Sequence, residues 1–89
     1  MKAIVTVVGK DRVGIIANVC TALANYNVNV LDINQTVMQS YFTMMMVVDL
    51  SQCATSFDKL SEKLSNFGEG RGLAIRIQRE DIFDAMHKI

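Results

Sequence analysis

The spacing of hydrophobic positions changes along the chain, and each change marks a new element of secondary structure. Ala3 to Val8 is an almost continuous apolar and β-branched run, which is typical of a central strand covered on both faces. From position 15 the apolar residues recur at helical spacing, so an amphipathic helix is predicted as far as about Tyr26. Asn27 suits the left-handed backbone conformation at the end of this helix. The apolar positions are Ile15, Ile16, Val19, Cys20 and Leu23.

The middle of the chain carries the two-residue period of β-strands. Side chains alternate in this way from Val30 to Gln39, and the stretch from Tyr41 to Leu50 predicts a further strand. The Gln39-Ser40 pair has the length of the turn in a tight antiparallel hairpin. We therefore expect these two strands to be neighbours in one sheet.

A second helix is predicted after this hairpin. The stretch "TSFD" at 55–58 resembles a capping box at a helix start. We expect the glycines at 68, 70 and 72 to end the helix. Its apolar positions at helical spacing are Phe57, Leu60, Leu64 and Phe67.

The last part of the chain predicts a fourth strand and a short closing helix. Leu73, Ile75 and Ile77 alternate with Ala74 and Arg76 at the strand period. In 82–89 the apolar residues return to helical spacing. They are Ile82, Phe83, Met86 and Ile89.

The predicted order is strand, helix, strand, strand, helix, strand, which is the ferredoxin-like split pattern. It predicts an α+β fold with a four-stranded antiparallel sheet, two helices on one face, and a short C-terminal helix. The first and third strands are central in this layout. With 89 residues and no linker or low-complexity segment, one domain over 1–89 is expected.

The two central strands carry apolar side chains on both faces, although helices are expected on only one. In the first strand, Ile4 and Val8 alternate with Val5 and Val7. Large exposed apolar patches are uncommon on soluble monomers, so we expect a second subunit, the C-terminal helix or both to cover the open face. The alternative is that some of these side chains are simply exposed.

Composition and charge exclude several classes of function. Hydrophobic residues make up 51% of the chain and charged residues 20%, as in compact globular domains. Nine basic and nine acidic residues give a net charge of zero, so no electrostatic field attracts nucleic acid or an anionic membrane. Binding to either is therefore not expected.

Metal sites and disulfides are not indicated either. Cys20 and Cys53 lack Cys-x-x-Cys spacing, and His87 has no second metal ligand nearby. No signal peptide is recognisable, and no apolar stretch approaches the roughly 20 residues that span a bilayer. We expect a cytoplasmic protein with reduced thiols and no cofactor.

The segment from Gly9 to Gly14 has the spacing of a phosphate-binding loop between a strand and a helix. Such a loop needs Lys and then Ser or Thr after the second glycine, where this chain has Ile15 and Ile16, so nucleotide hydrolysis is excluded. The dinucleotide fingerprint GxGxxG is also absent. A helix N-terminus remains, and its free N–H groups favour an anion.

Asp11 places a carboxylate at the mouth of this anion site, which suits a zwitterion carrying an ammonium beside its carboxylate. A purely structural interpretation stays open. Asp11 would then cap the helix, and Gly14 would let the helix pack closely on the sheet.

The stretches "VVGKDRVGIIANV", "NVNVLDINQTV" and "YFTMMMVVD" resemble the ACT domain family of small amino-acid-sensing regulatory modules over nearly the whole chain. The opening Gly-Lys-Asp-Arg-x-Gly-Ile-Ile-Ala and the ending Ile-Phe-x-Ala-Met are similar to small stand-alone ACT-domain proteins, a group without an assigned biochemical role. Many ACT loops have Asp-Arg-Pro-Gly, and Val13 takes the place of that proline.

The resemblance implies a homodimer that binds its effector at the interface near this loop. Backbone N–H groups of Gly14 and Ile15 would hold a ligand carboxylate, while Asp11, or Asp32 or Asn29 of the partner subunit, would hold its ammonium. The ligand-binding residues implied are Asp11, Arg12, Val13, Gly14, Ile15, Asn29 and Asp32.

The expected function is a non-catalytic regulatory module that senses an amino acid or related metabolite and acts on a protein partner or through its own assembly. One alternative is a structural or protein-interaction domain without a ligand. Another is an acylphosphatase-like hydrolase, in which Arg12 and loop amides would hold phosphate. The negative charge of Asp11 would oppose phosphate binding in that hydrolase.

Overall fold

The computed structural model describes residues 1–10 and 14–81, and over them the predicted βαββαβ order is confirmed. The predicted closing helix over 82–89 lies outside the described residues. The elements are β1 (Lys2–Lys10), α1 (Ile15–Asn25), β2 (Asn29–Met38), β3 (Tyr41–Asp49), α2 (Phe57–Glu69) and β4 (Leu73–Arg79).

The four strands form one sheet in the order β2-β3-β1-β4, and every neighbouring pair is antiparallel. The prediction that β1 and β3 are central is therefore confirmed. Each central strand is paired along both of its edges, but the helices cover only one of its faces. A bulge between Val30 and Asp32 interrupts the edge strand β2. The architecture is the ferredoxin-like α+β fold.

The core lies between one face of the sheet and the two helices. Val5 of β1 is fully buried and faces Met46 of β3 and Ile77 of β4 in the strand register. Opposed residues of paired strands share a face of the sheet, so these three positions define the side covered by the helices. The helices complete the core with Ile15, Val19, Ala22, Leu23, Leu60 and Leu64.

The helix ends agree only in part with the sequence prediction. Asn27 has φ 62 after α1, as expected for a left-handed terminator. The N-cap of α2 is Ser56, whose hydroxyl accepts a hydrogen bond from the Lys59 backbone N–H at 3.3 Å. A capping box needs Glu or Gln three residues after the N-cap, where this chain has Lys59. The predicted capping box was therefore wrong, and only the hydrogen bond from the Lys59 N–H to Ser56 forms.

The prediction that the glycines at 68, 70 and 72 end α2 is confirmed for Gly70 and wrong for Gly68. The helix continues through Gly68 to Glu69, and Gly70 is its C-cap. A Cβ atom at Gly68 would lie 2.5 Å from the backbone oxygen of Leu73. This glycine therefore serves the close approach of α2 to β4.

Exposed apolar side chains lie on β2 and on the open face of the sheet. Nearly every residue of β2 is exposed, and Val30 is partly buried against the core. On the open face, Tyr41, Val8 and Met45 are 55%, 41% and 39% exposed, whereas Ile4 is only 8% exposed. The exposed apolar side chains of β2 are Leu31, Ile33, Val37 and Met38.

The Asp49 carboxylate connects the end of β3 to the turn that follows. Its Oδ1 accepts a hydrogen bond from the Ser51 backbone N–H at 2.9 Å, and the amino group of Met1 lies 4.0 Å away. The hydrogen bond from Ser51 is the main reason why the pKa of Asp49 lies below its ordinary value.

We expect Asp49 to make part of the stability depend on pH. Because its pKa is lower in the folded than in the unfolded chain, this stabilisation is complete above the unfolded pKa of about 4 and is lost as the pH falls through the folded value. In Asp49→Asn, the free energy of unfolding should fall less between about pH 5 and pH 2 than in the wild type. Urea titrations at both pH values measure this, and equal acid sensitivity would contradict the role.

Candidate functional site

The candidate site begins where β1 ends, at the end of the sheet that carries the β2–β3 hairpin. Lys10, the last residue of β1, pairs with Tyr41 directly after that hairpin. Helix α1 starts after Gly14, which occupies its N-cap position. Three predicted ligand-binding residues, Asp11, Arg12 and Val13, lie outside the described residues.

Gly14 has φ 87 and ψ 2, in the left-handed region, where residues with a Cβ atom are strained. Space is not the reason for this glycine, because among the described residues an added Cβ would approach only Asn18 Nδ2, at 3.7 Å. The interpretation of Gly14 as a close-packing residue was therefore wrong. Its positive φ turns the chain into α1.

The start of α1 has the electrostatics that suit an anion. No side chain of the described residues caps this helix, and the first turn of any helix leaves its N–H groups without intrahelical partners. The helix dipole adds partial positive charge at the same place. Ile15 is buried in the core, which holds the first turn firmly against the sheet.

Asn29 and Asp32 lie far from Gly14 within one chain. Asn29 pairs with Asp49, which in turn pairs with Lys2. Lys2 and Lys10 are the two ends of β1, about 26 Å apart along an extended strand. The structure therefore brings Gly14 and Ile15 together and leaves the two β2 residues near the opposite end of the sheet.

Both β2 residues are exposed. Asp32 follows the bulge, and its Oδ1 accepts a hydrogen bond from the Ile33 backbone N–H at 2.9 Å. This contact holds the carboxylate against the backbone of the edge strand β2.

A groove between the two helices was missed by the sequence interpretation. It has a volume of about 350 Å³ and a buried floor of Ala22 and Leu64. The available signal was the recurrence of the polar residues Asn18, Thr21 and Asn25 along α1. The groove is lined by Asn18, Thr21, Ala22, Asn25, Tyr26, Lys63, Leu64, Phe67 and Arg71.

Other classes of site find no support in the described part of the chain. Residues 1–10 and 14–81 contain no group of three His, Cys, Asp or Glu side chains placed to hold a metal ion. Cys20 and Cys53 are free thiols, both partly buried. Neither described helix has the length and apolar character needed to cross a bilayer.

Comparison with known proteins gives consistent matches over the whole fold. A family model described as ACT domain matches residues 2–78. A UPF0237 protein of Listeria monocytogenes is 51% identical over 89 residues, which is 100% of both chains. The solved structure of an ACT domain protein from Streptococcus pneumoniae is 46% identical, covers 98% of each chain and has a TM-score of 0.83.

A solved structure of the regulatory subunit of aspartate kinase from Thermus thermophilus is also similar. It is 27% identical with a TM-score of 0.68, and the match covers 89% of this chain and 51% of that one. The same fold thus occurs as a part of a larger regulatory subunit.

Proposed function

Because the chain belongs to the ACT domain family, whose members are regulatory small-molecule-binding modules, we propose that it senses a free amino acid or a related metabolite as a homodimer. The observation that carries this proposal is Gly14, whose positive φ leads into the start of α1, where no side chain of the described residues forms a cap. The N–H groups of Gly14 and Ile15 would bind the ligand carboxylate. Asp11 would bind its ammonium, with Arg12 and Val13 beside the ligand.

The second subunit is proposed to pair along β2. This edge strand offers unpaired backbone groups together with exposed apolar side chains, the combination that favours strand-to-strand association. A twofold axis perpendicular to the sheet would pair two β2 strands in antiparallel orientation. The start of one β2 strand would then lie beside the end of the other.

This pairing would complete the site across the interface. Strand β1 of one subunit ends at the hairpin end of its sheet, where β2 also ends. Asn29 of the partner subunit and Asp32 of the partner subunit would arrive at that same end. Each site would therefore use the helix start of one chain and the β2 strand of the other, and ligand binding would stabilise the dimer.

The proposed output is regulatory, without catalysis by this chain. A ligand that binds only the dimer shifts the equilibrium between subunit and dimer, and a regulated protein partner would respond to that shift. We propose that this occurs in the cytoplasm, where Cys20 and Cys53 remain reduced. The exposed β2 surface also supports a second candidate, a protein-interaction domain without a ligand.

Titration of the twenty amino acids into the wild-type protein by calorimetry tests the sensor proposal. We expect saturable heat from one amino acid or a chemically related group of them. Asp11→Ala and Asp32→Ala should each weaken binding about tenfold, since each removes one charge-assisted hydrogen bond.

Asp58→Ala is the matched control, because Asp58 is an exposed acidic residue in the first turn of the other helix. It should bind like the wild type. Flat isotherms for all twenty amino acids would reject the sensor and leave the interaction domain. Equal weakening by all three variants would also contradict the assigned roles.

A further inference from the structure

The groove between α1 and α2 combines an apolar floor with a positively charged rim. Among the described residues, Lys63 and Arg71 are the only charged ones that line it, and none of its lining residues is acidic. Neither cation forms an ion pair with a carboxylate of the described residues. In a chain of zero net charge, the described residues leave these two positive charges without an ion-pair partner.

Both cations are held in place by aromatic rings. The Lys63 Nζ lies 5.7 Å from the centroid of the Tyr26 ring. The Arg71 guanidinium carbon lies 3.8 Å from the centroid of the Phe67 ring. Arg71 Nη1 also donates a hydrogen bond to the Phe67 backbone oxygen at 3.2 Å. Cation–π contacts orient a charge without neutralising it, so both groups stay available to an anion.

The two cations belong to opposite ends of the groove. Because β1 and β3 are antiparallel and each is followed by a helix, α1 and α2 also run in opposite directions. Tyr26 and Lys63 therefore mark one end, while Asn18 and Arg71 mark the other. Between Asn18 and Asn25, α1 advances about 10 Å.

We propose that this groove binds a small organic dianion, with one anionic group at each end and an apolar chain between them. Lys63 and Asn25 bind one anionic group, and Arg71 and Asn18 bind the other. The Thr21 hydroxyl lies between them, and Ala22 and Leu64 contact the chain. The volume of about 350 Å³ is within the range of about 300 to 1,000 Å³ that is usual for small-molecule sites.

The groove is distinct from the loop site but adjacent to it. An added Cβ at Gly14 would touch Asn18 Nδ2, so Asn18 reaches both the start of α1 and the end of the groove. A dianion in the groove is thus placed to alter the loop through one side chain. Its binding does not require the loop site to be occupied.

Amide chemical shifts of the ¹⁵N-labelled full chain test this proposal, with succinate, adipate and suberate as probes at constant ionic strength. We expect saturable shifts at groove residues, with tighter binding of adipate or suberate than of succinate because the shorter molecule cannot reach both cations. Hexanoate, which has one carboxylate, should bind about tenfold more weakly than adipate.

Lys63→Gln and Arg71→Gln should each weaken adipate binding about tenfold, and Arg71→Lys should recover part of the loss. Lys59→Gln is the matched control, because Lys59 is exposed on α2 outside the groove. Unchanged amide spectra of the free variants establish that they fold.

Absent or scattered shifts would overturn the proposal, as would equal weakening by Lys59→Gln or equal binding of hexanoate and adipate. Amino-acid binding at the loop would instead shift Gly14 and Ile15. Failure at one site is therefore distinguishable from failure at the other.

Discussion

Gly68→Ala is expected to lower the free energy of unfolding by about 2 kcal/mol, although alanine is the better helix former. The new Cβ would lie 2.5 Å from the backbone oxygen of Leu73 and 3.1 Å from Ile75 Cγ1. A backbone oxygen within a paired strand cannot move aside as a flexible side chain can. The helix α2 must therefore shift away from β4, and core contacts weaken along its length.

Gly70→Ala is the matched control in the same turn. An added Cβ there would lie no closer than 3.9 Å to any neighbouring atom of the described residues, and Gly70 has ordinary right-handed helical angles. Its stability should stay unchanged or rise by a few tenths of a kcal/mol. Urea unfolding at one fixed protein concentration measures both variants, and a similar loss in the two would show that the close approach to β4 is not what requires glycine.

The second large effect concerns the proposed dimer. Replacing both Ile33 and Val37 by lysine should raise the dimer dissociation constant more than 100-fold, about 2.7 kcal/mol or more. The two side chains are 41% and 53% exposed in the single chain. Complete burial of an isoleucine or valine side chain contributes about 1.5 to 3 kcal/mol. The lysine substitutions also place like charges on both sides of the twofold axis. Sedimentation equilibrium measures the change.

Val8→Lys distinguishes between the two surfaces on which a dimer could form, the β2 edge and the open face of the sheet. Val8 is also exposed, but it lies on the open face of the central strand β1. It should leave the β2-paired dimer intact. A wild-type protein that stays monomeric at micromolar concentration would contradict the dimer, and dissociation by Val8→Lys alone would move the interface to the open face.

The dimer variant also tests the shared ligand site. If Asn29 and Asp32 act only from the partner subunit, the Ile33 and Val37 double variant should lose amino-acid binding together with dimerisation. Retained affinity in the monomer would show that one chain suffices.

Much of the fold was predictable because it rests on local spacing. The uninterrupted apolar run of β1 and the helical period of α1 are properties of neighbouring residues. Asn27 tolerates a left-handed conformation because an asparagine side chain can hydrogen-bond to the backbone nearby. These features need no knowledge of what packs against them.

The site was predictable only in outline. A glycine before a helix start can be recognised locally, and Gly14 was found in that way. Whether a glycine is needed for its backbone conformation or for close packing depends on what surrounds it in the fold. Gly14 is needed for its positive φ, whereas Gly68 is needed because α2 approaches β4 closely. The groove escaped notice because its lining residues come from two helices separated by two strands.

The sequence by itself determined the order of the elements, the central position of β1 and β3, and the balance of charge. The tertiary structure decided that β2 is almost entirely exposed, that Asn29 and Asp32 lie at the far end from Gly14, and that Lys63 and Arg71 share a groove with α1. The physical reason is that periodicity reports which side of an element is apolar. Exposure and proximity depend instead on the register and spacing of elements distant along the chain.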